Sequence, residues 1–140
     1  MFGFSDAERV AVGEFWTIWR CPTTVFMCVT GFIDDERSAA WQRAMQAEYD
    51  RAGYPRFAAM EVSTVEPTNS MASRFRSAQW IRKTLEHLEH GSVLTGARPG
   101  PLVVSRAVLR IVGLSNIAVL TEPEALQRTI DAYREGRRPE

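Results

Sequence analysis

The sequence of 140 residues has little of what usually marks a catalytic or metal centre. Its histidines, His87 and His90, stand three positions apart without a clustered acidic or cysteine partner, so no metal site is predicted. Its cysteines, Cys21 and Cys28, form no CxxC motif and are expected to be reduced and structural, as in a cytoplasmic protein. We therefore predict a non-enzymatic protein without a cofactor.

Phosphate-loop motifs, long apolar runs and excess charge are also missing. The patterns GxGxxG and GxxxxGK[ST] do not occur, and no apolar run approaches the roughly 18 residues that span a bilayer. Net charge is zero, whereas nucleic-acid binding normally needs a basic excess. Every basic residue except Lys83 is arginine, which we interpret as codon composition because the arginines do not cluster. The sequence thus predicts no transmembrane segment, no secretory signal and no nucleic-acid partner.

The composition that is present is that of a globular domain. Apolar residues make up 45% of the chain and charged residues 24%, and no Pro/Ser-rich linker divides it. We divide the chain into an N-terminal extension at residues 1–13, one domain at residues 14–135 and a disordered tail at residues 136–140.

Strand patterns and helix patterns alternate along the domain. Short apolar segments predict strands at residues 14–20, 23–33, 56–62, 92–95 and 117–120. Helical spacing predicts helices at residues 36–53, 70–89 (closed by Gly91), 102–112 and after a capping box formed by Thr121 and Glu124. The order β-β-α-β-α-β-α-β-α predicts the α/β class, with a mostly parallel sheet of four to five strands and about four helices.

Residues 57–73 form the most informative segment: an apolar strand, a polar turn and a hydroxyl residue, Ser70, that opens a long helix. A helix start carries unpaired N–H groups and partial positive charge, which favour a phosphate. An ordinary N-cap explains a serine there equally well. On the residues alone, both interpretations of Ser70 stay open.

Two tryptophans distinguish the first predicted strand. Trp16 and Trp19 are expected on opposite faces of it, so at least one is expected to be exposed. A partner or dimer surface and burial against a helix are the alternatives.

With these elements in place, the chain resembles the STAS domain, the family of bacterial anti-sigma factor antagonists (SpoIIAA-like). In that family a buried strand runs into a pattern L-S-x-V-x-x-h-D-S-S-G, and the serine after the aspartate is phosphorylated. The matching run here is VSTVEPTNSMA at residues 62–72, in which Ser63 and Val65 match and Ser70 takes the phosphoacceptor position. Asn69 stands where the family has aspartate, and Met71 follows in place of serine.

A second similarity lies towards the C-terminus. A helix that ends in Gly113-Leu114, a short strand at residues 118–120 and an acidic start with Ala125-Leu126 resemble the same family. Together the two similarities span roughly residues 14–135.

The resemblance implies a regulatory protein–protein interaction module with an anti-sigma factor or serine kinase as partner. Ser70 is the implied phosphoacceptor, and the candidate partner surface comprises Asn69, Met71, Ser73 and Arg74. A phosphate would add about −1.5 to −2 charges, which the helix start tolerates, so the switch is expected to act on binding rather than folding.

Two other functions stay open at this point. One is constitutive self-assembly, for example a homodimer through the strand of Trp16 and Trp19. The other is binding of an apolar, lipid-like ligand between the helices and the sheet.

Overall fold

The computed structural model describes residues 7–137, except for the side chains of residues 100–102, 104 and 105. The strands are β1 (Glu8–Val12), β2 (Trp16–Cys21), β3 (Thr24–Val29), β4 (Phe32–Ile33), β5 (Phe57–Glu61), β6 (Glu66–Pro67), β7 (His90–Leu94) and β8 (Ile117–Leu120). The helices are α1 (Asp35–Ala52), α2 (Met71–Leu85), α3 (Pro99–Val112) and α4 (Pro123–Arg134).

The main sheet has six strands in the order β1-β2-β3-β5-β7-β8. The first three pair antiparallel, and β3, β5, β7 and β8 pair parallel. The predicted α/β class, the mostly parallel character and the four helices are confirmed. The predicted number of four to five strands is too low. An antiparallel edge strand, β1, is formed by part of residues 1–13, which the sequence analysis described as an N-terminal extension. The predicted domain boundaries stay a prediction, since residues 1–6 and 138–140 lie outside the described residues.

The run at residues 23–33, predicted as one central strand, is broken in the structure. It leaves the sheet after β3, and Gly31 adopts a positive φ of 83°, a conformation that costs glycine least. The following residues form β4, which pairs parallel with β6 in a separate two-stranded sheet. This turn away from the sheet exposes Phe32.

Two predicted helix boundaries, the end of α2 and the start of α4, are also wrong. Helix α2 ends at Leu85, and Gly91 lies inside β7 instead of closing the helix, because β7 pairs with both β5 and β8. A Cβ at Gly91 would lie 3.0 Å from the side chain of Leu85, so the position has room only for glycine unless Leu85 shifts. The Thr121–Glu124 capping box does not form, since the cap of α4 is Glu122, without a side-chain cap bond.

Both faces of the central parallel strands β3 and β5 are buried. On one face, a core that includes Ile18, Met27 and Met60 packs against Trp41 and Met45 of α1. On the other, Phe26 and Phe57 pack with residues of α4. Because sequential parallel crossovers are right-handed, α1, α2 and α3 share the first face and start at the carboxyl edge of the sheet. In the described part of the chain, no helix has the length and apolar character needed to cross a bilayer.

Candidate functional site

Ser70 caps α2, as one of the two interpretations predicted. Its backbone is extended, with φ −67° and ψ 160°, and its Oγ accepts a hydrogen bond of 3.1 Å from the N–H of Ser73. This bond satisfies one of the otherwise unpaired N–H groups at the helix start.

A carboxylate from the neighbouring helix also holds Ser70. Asp34 is the N-cap of α1, and Asp35, at the first position of the same helix, reaches across to Ser70. The N–H of Ser70 donates to Oδ1 of Asp35 at 2.6 Å, and the Ser70 hydroxyl donates to Oδ2 at 2.8 Å. We call these two hydrogen bonds the Asp35–Ser70 clamp. The backbone bond from Ser70, and then its hydroxyl bond, lower the pKa of Asp35, so the carboxylate stays ionised at neutral pH.

The clamp changes what a phosphate on Ser70 would meet. The helix start favours negative charge, but the carboxylate of Asp35 lies within hydrogen-bonding distance of the Ser70 oxygen that would carry the phosphate. A phosphate dianion there would remove the hydroxyl donor and would repel the carboxylate of Asp35. A phosphate on Ser70 would therefore disturb the junction of α1 and α2.

The predicted partner surface is only partly at the surface. Met71 is 52% exposed, Ser70 is exposed and Asn69 is half-buried. Ser73 is buried, and Arg74 is half-buried with its Nε donating to Oδ1 of Asn69 at 3.2 Å. The structure brings Asn69, Ser70 and Met71 together on the surface and turns Ser73 inward, so we leave Ser73 out of the candidate surface.

Phe32 is a surface residue that the sequence analysis placed in a buried strand. Its ring is 43% exposed, and the guanidinium of Arg37 lies 3.8 Å from the ring centroid. The strand β4 that carries Phe32 is connected to the segment before Ser70, because Ile33 accepts a hydrogen bond from the N–H of Thr68. We therefore define a candidate surface, called the docking surface below, as Phe32, Asn69, Ser70 and Met71; it leaves out the half-buried Arg74.

A cavity of about 470 Å³ lies beneath this region, between the sheet and the helices. Apolar side chains form most of its walls: Ile33, Trp41, Met60, Val62, Val65, Pro67, Ala78, Ile81, Val93, Val108, Leu109 and Val119. Hydroxyl groups of Ser38 and Ser77, which hydrogen-bond each other at 2.9 Å, lie in the wall where α1 meets α2. The volume falls in the range of small-molecule sites.

Charged side chains lie at one end of the cavity. Arg74, Arg98 and Glu66 all line it. Arg98 and Glu66 form an ion pair of 3.3 Å, with side chains 44% and 71% exposed, so the cavity meets solvent at this end. Among the described residues, no carboxylate lies within ion-pair distance of Arg74. The sequence analysis saw no clustering of arginines, because these two come from different helix starts.

The tryptophans of β2 lie on opposite faces, as predicted, but the expected exposure of at least one of them is not observed, since both are half-buried. The ring of Trp16 packs so closely on Gly13 that a Cβ there would lie 2.1 Å from it. Because β2 pairs with β1 on one side and β3 on the other, it offers no free edge to a second copy. A homodimer through backbone pairing of this strand is therefore not available in the described fold.

The remaining candidate groups for chemistry do not converge. In residues 7–137 no group of three or more His, Cys, Asp or Glu side chains is arranged to hold a metal. The ring of His87 stacks on Tyr54 and that of His90 on Phe57. Cys28 is a free thiol whose pKa is raised to about 11, mainly by burial and then by the Glu61 carboxylate.

Strand order and helix placement together define an α/β domain of the STAS-like fold that the resemblance predicted. No family model matches the sequence, and no curated protein matches it. A solved structure with this fold is that of the Bacillus cell fate determinant SpoIIAA in its phosphorylated form, with a TM-score of 0.51. The two chains are 12% identical, and the match covers 81% of this chain and 98% of the SpoIIAA chain. At that identity the likeness establishes the fold alone.

Proposed function

We propose that this protein is a non-enzymatic, cytoplasmic regulatory module that binds a protein partner, in the manner of an anti-sigma factor antagonist. The proposed partner is an anti-sigma factor with serine-kinase activity. The fold shared with SpoIIAA supports the proposal, as does the match of residues 62–72 to the family pattern. The observation that carries it is the exposed turn in which Ser70 and Met71 stand at a helix start.

The docking surface has the chemistry of a protein contact. Met71 and Phe32 expose apolar side chains, and a methionine adapts its shape to a partner. Asn69 and Ser70 are the polar members of this surface. Apolar anchors next to polar groups are what a regulatory interface uses.

The binding part of the proposal is tested with a matched pair of charge substitutions. Met71→Glu places a carboxylate on the docking surface, whereas Val12→Glu places one on β1, where Val12 is 61% exposed. Calorimetry against purified anti-sigma serine kinases should show binding by wild type and Val12→Glu, and binding at least about tenfold weaker for Met71→Glu. Equal binding by the two variants would contradict the docking surface.

Phosphorylation of Ser70 is the second part of the proposal. The same kinases with ATP should add one phosphate to wild type and none to Ser70→Ala, as measured by intact mass and peptide mapping. The phosphorylated form should bind its partner more weakly, because a dianion meets both the partner and Asp35. A phosphate found on another residue, or unchanged binding after full modification of Ser70, would remove the switch.

The cavity favours a second function, binding of an apolar ligand between the helices and the sheet. The cavity is open to solvent at one end, mostly apolar along its walls and, at about 470 Å³, in the size range of small-molecule sites. Native mass spectrometry of the freshly purified protein should show a retained small molecule.

A further inference from the structure

The cavity is asymmetric, with apolar walls and a charged end. Its floor is formed by the strands β5, β7 and β8, which contribute Met60, Val93 and Val119. Its charged residues all follow the carboxyl ends of β5 or β7, at the edge of the sheet where open α/β folds bind ligands. A ligand that fills this space must therefore be apolar along most of its length and polar at one end.

The charges at that end favour an anion. Arg74 and Arg98 contribute two positive charges, and Glu66 is the one carboxylate among the described residues that line the cavity. Arg98 shares its charge with Glu66 at 3.3 Å, while Arg74 donates to the neutral amide oxygen of Asn69 at 3.2 Å. The balance leaves one net positive charge, and the start of α3 adds partial positive charge at the same edge, whereas the Asp35 carboxylate offsets that of α2.

We propose that this cavity binds a single-chain amphiphile with an anionic head, whose tail lies over β5, β7 and β8 and whose head pairs with Arg74 and Arg98. The inference rests on the apolar-ligand function proposed above and names the chemical class of its ligand. Arginine suits this role because its planar guanidinium pairs with two oxygens of a carboxylate or phosphate. Glu66 competes with the ligand for Arg98.

The class is tested with four probes that share one tail: dodecanoate, dodecyl phosphate, dodecanol and dodecylammonium. Binding is followed by tryptophan fluorescence, since Trp41 lines the cavity, and by calorimetry below the micelle concentration of each probe. Dodecanoate or dodecyl phosphate should bind one to one, at least about tenfold more tightly than dodecanol. Dodecylammonium should bind more weakly still. The first two arms distinguish a carboxylate from a phosphate head.

Matched variants locate the site. Arg74→Met should weaken dodecanoate binding about tenfold while leaving dodecanol binding unchanged. Arg128→Met, an exposed arginine on α4 behind the sheet, is the control and should change neither. Val119→Phe narrows the cavity over β8 and should weaken binding of all four probes alike. Glu66→Gln frees Arg98 and should tighten dodecanoate binding severalfold, which a merely structural role of Glu66 would not produce.

Each negative outcome overturns a distinct statement. If no probe binds the folded wild-type protein, the apolar-ligand function itself fails. If the probes bind with equal affinity, or if Arg74→Met and Arg128→Met bind dodecanoate alike, ligand binding stands and the anionic head is wrong. Thermal unfolding of every variant shows whether it has kept its fold.

Discussion

Ser70 uses both hydrogen-bonding capacities of its hydroxyl. The oxygen accepts from the N–H of Ser73 and caps α2, and the hydroxyl hydrogen is donated to Asp35 of α1. One side chain thus fixes a helix start and ties it to the neighbouring helix start. The two contributions are separated by a substitution of Ser70 whose side chain still accepts the capping hydrogen bond but no longer donates one to Asp35.

Ser70→Ala removes both contributions and should lower the free energy of unfolding by about 1 kcal/mol. Ser70→Asp retains a residue suited to capping, but it places a second carboxylate next to that of Asp35. We therefore expect Ser70→Asp to be less stable than Ser70→Ala. In an Asp35→Asn background, Ser70→Asp should instead be the more stable. Urea unfolding of Ser70→Ala and Ser70→Asp, each alone and each combined with Asp35→Asn, measures this coupling. Additive effects would mean that the clamp is not formed in solution.

The ionisation of Asp35 gives the clamp a pH dependence. Because the folded-state pKa of Asp35 is lowered, the stabilisation is fully present above its unfolded pKa, about 3.9, and is lost as the pH falls through the folded value. We expect the unfolding free energy of wild type to fall more steeply than that of Asp35→Asn below about pH 4. Parallel curves for the two proteins in acid would contradict this assignment.

Among the secondary-structure elements, α1 is fixed to the sheet at its C-terminus. The guanidinium of Arg20, on β2, donates to the last carbonyls of the helix, at 3.1 Å to Ala52 and 2.8 Å to Gly53. It also pairs with the buried carboxylate of Glu48 at 3.3 Å, which Arg51 contacts at 2.6 Å. Burial alone would raise the pKa of Glu48, but the hydrogen bonds and charges of Arg51 and Arg20 outweigh it, and the net pKa is lowered.

Arg20→Met should destabilise the protein by about 2 kcal/mol, because it leaves helix carbonyls without a donor and removes one partner of a buried carboxylate. Arg51→Met is the matched comparison: it also removes a partner of Glu48, but it leaves the contacts of Arg20 with the last carbonyls of α1 in place, so it should cost less than Arg20→Met. Chemical denaturation of both variants measures the difference. An equal cost for the two substitutions would show that Arg20 does not anchor the helix.

Elements whose signal is local were predictable from the sequence. The strand β8 was predicted with its correct bounds, and Ser70 was identified as an N-cap candidate, since apolar runs and capping residues act within a few positions. The two-residue strands β4 and β6 have no periodicity and exist only because residues 32 and 66 pair across the fold. The Asp35–Ser70 contact likewise joins residues 35 positions apart. Its existence depends on how α1 packs beside α2, which no local pattern encodes.

The cavity illustrates the same limit for a binding site. Arg74 belongs to α2 and Arg98 caps α3, and they share a cavity because both helices begin at the carboxyl edge of the sheet. The sequence analysis named Arg74 as a partner contact, but the structure half-buries it beside the cavity. The docking surface and the cavity therefore adjoin at Asn69, which accepts the hydrogen bond from Arg74.

In the molecule as a whole, the antiparallel edge of the main sheet is a short and irregular strand, β1. β1 has five residues, a bulge between Arg9 and Ala11, and exposed charges at Glu8 and Arg9. Each of these features discourages pairing with another chain. β1 covers the longer strand β2, which carries Trp16, Ile18 and Trp19 and would otherwise present a free edge.

Removal of residues 1–12 should therefore convert the protein into one that self-associates. Loss of β1 frees the backbone N–H and C=O groups along one side of β2 and uncovers apolar surface around Trp16, both of which favour edge-to-edge pairing. Removal of residues 1–6 alone leaves β1 in place and is the matched control. Light scattering over a concentration series should show a mass that rises with concentration for the longer deletion only. If the longer deletion remains folded and has the same oligomeric state as the full chain, then β1 is not what protects this edge.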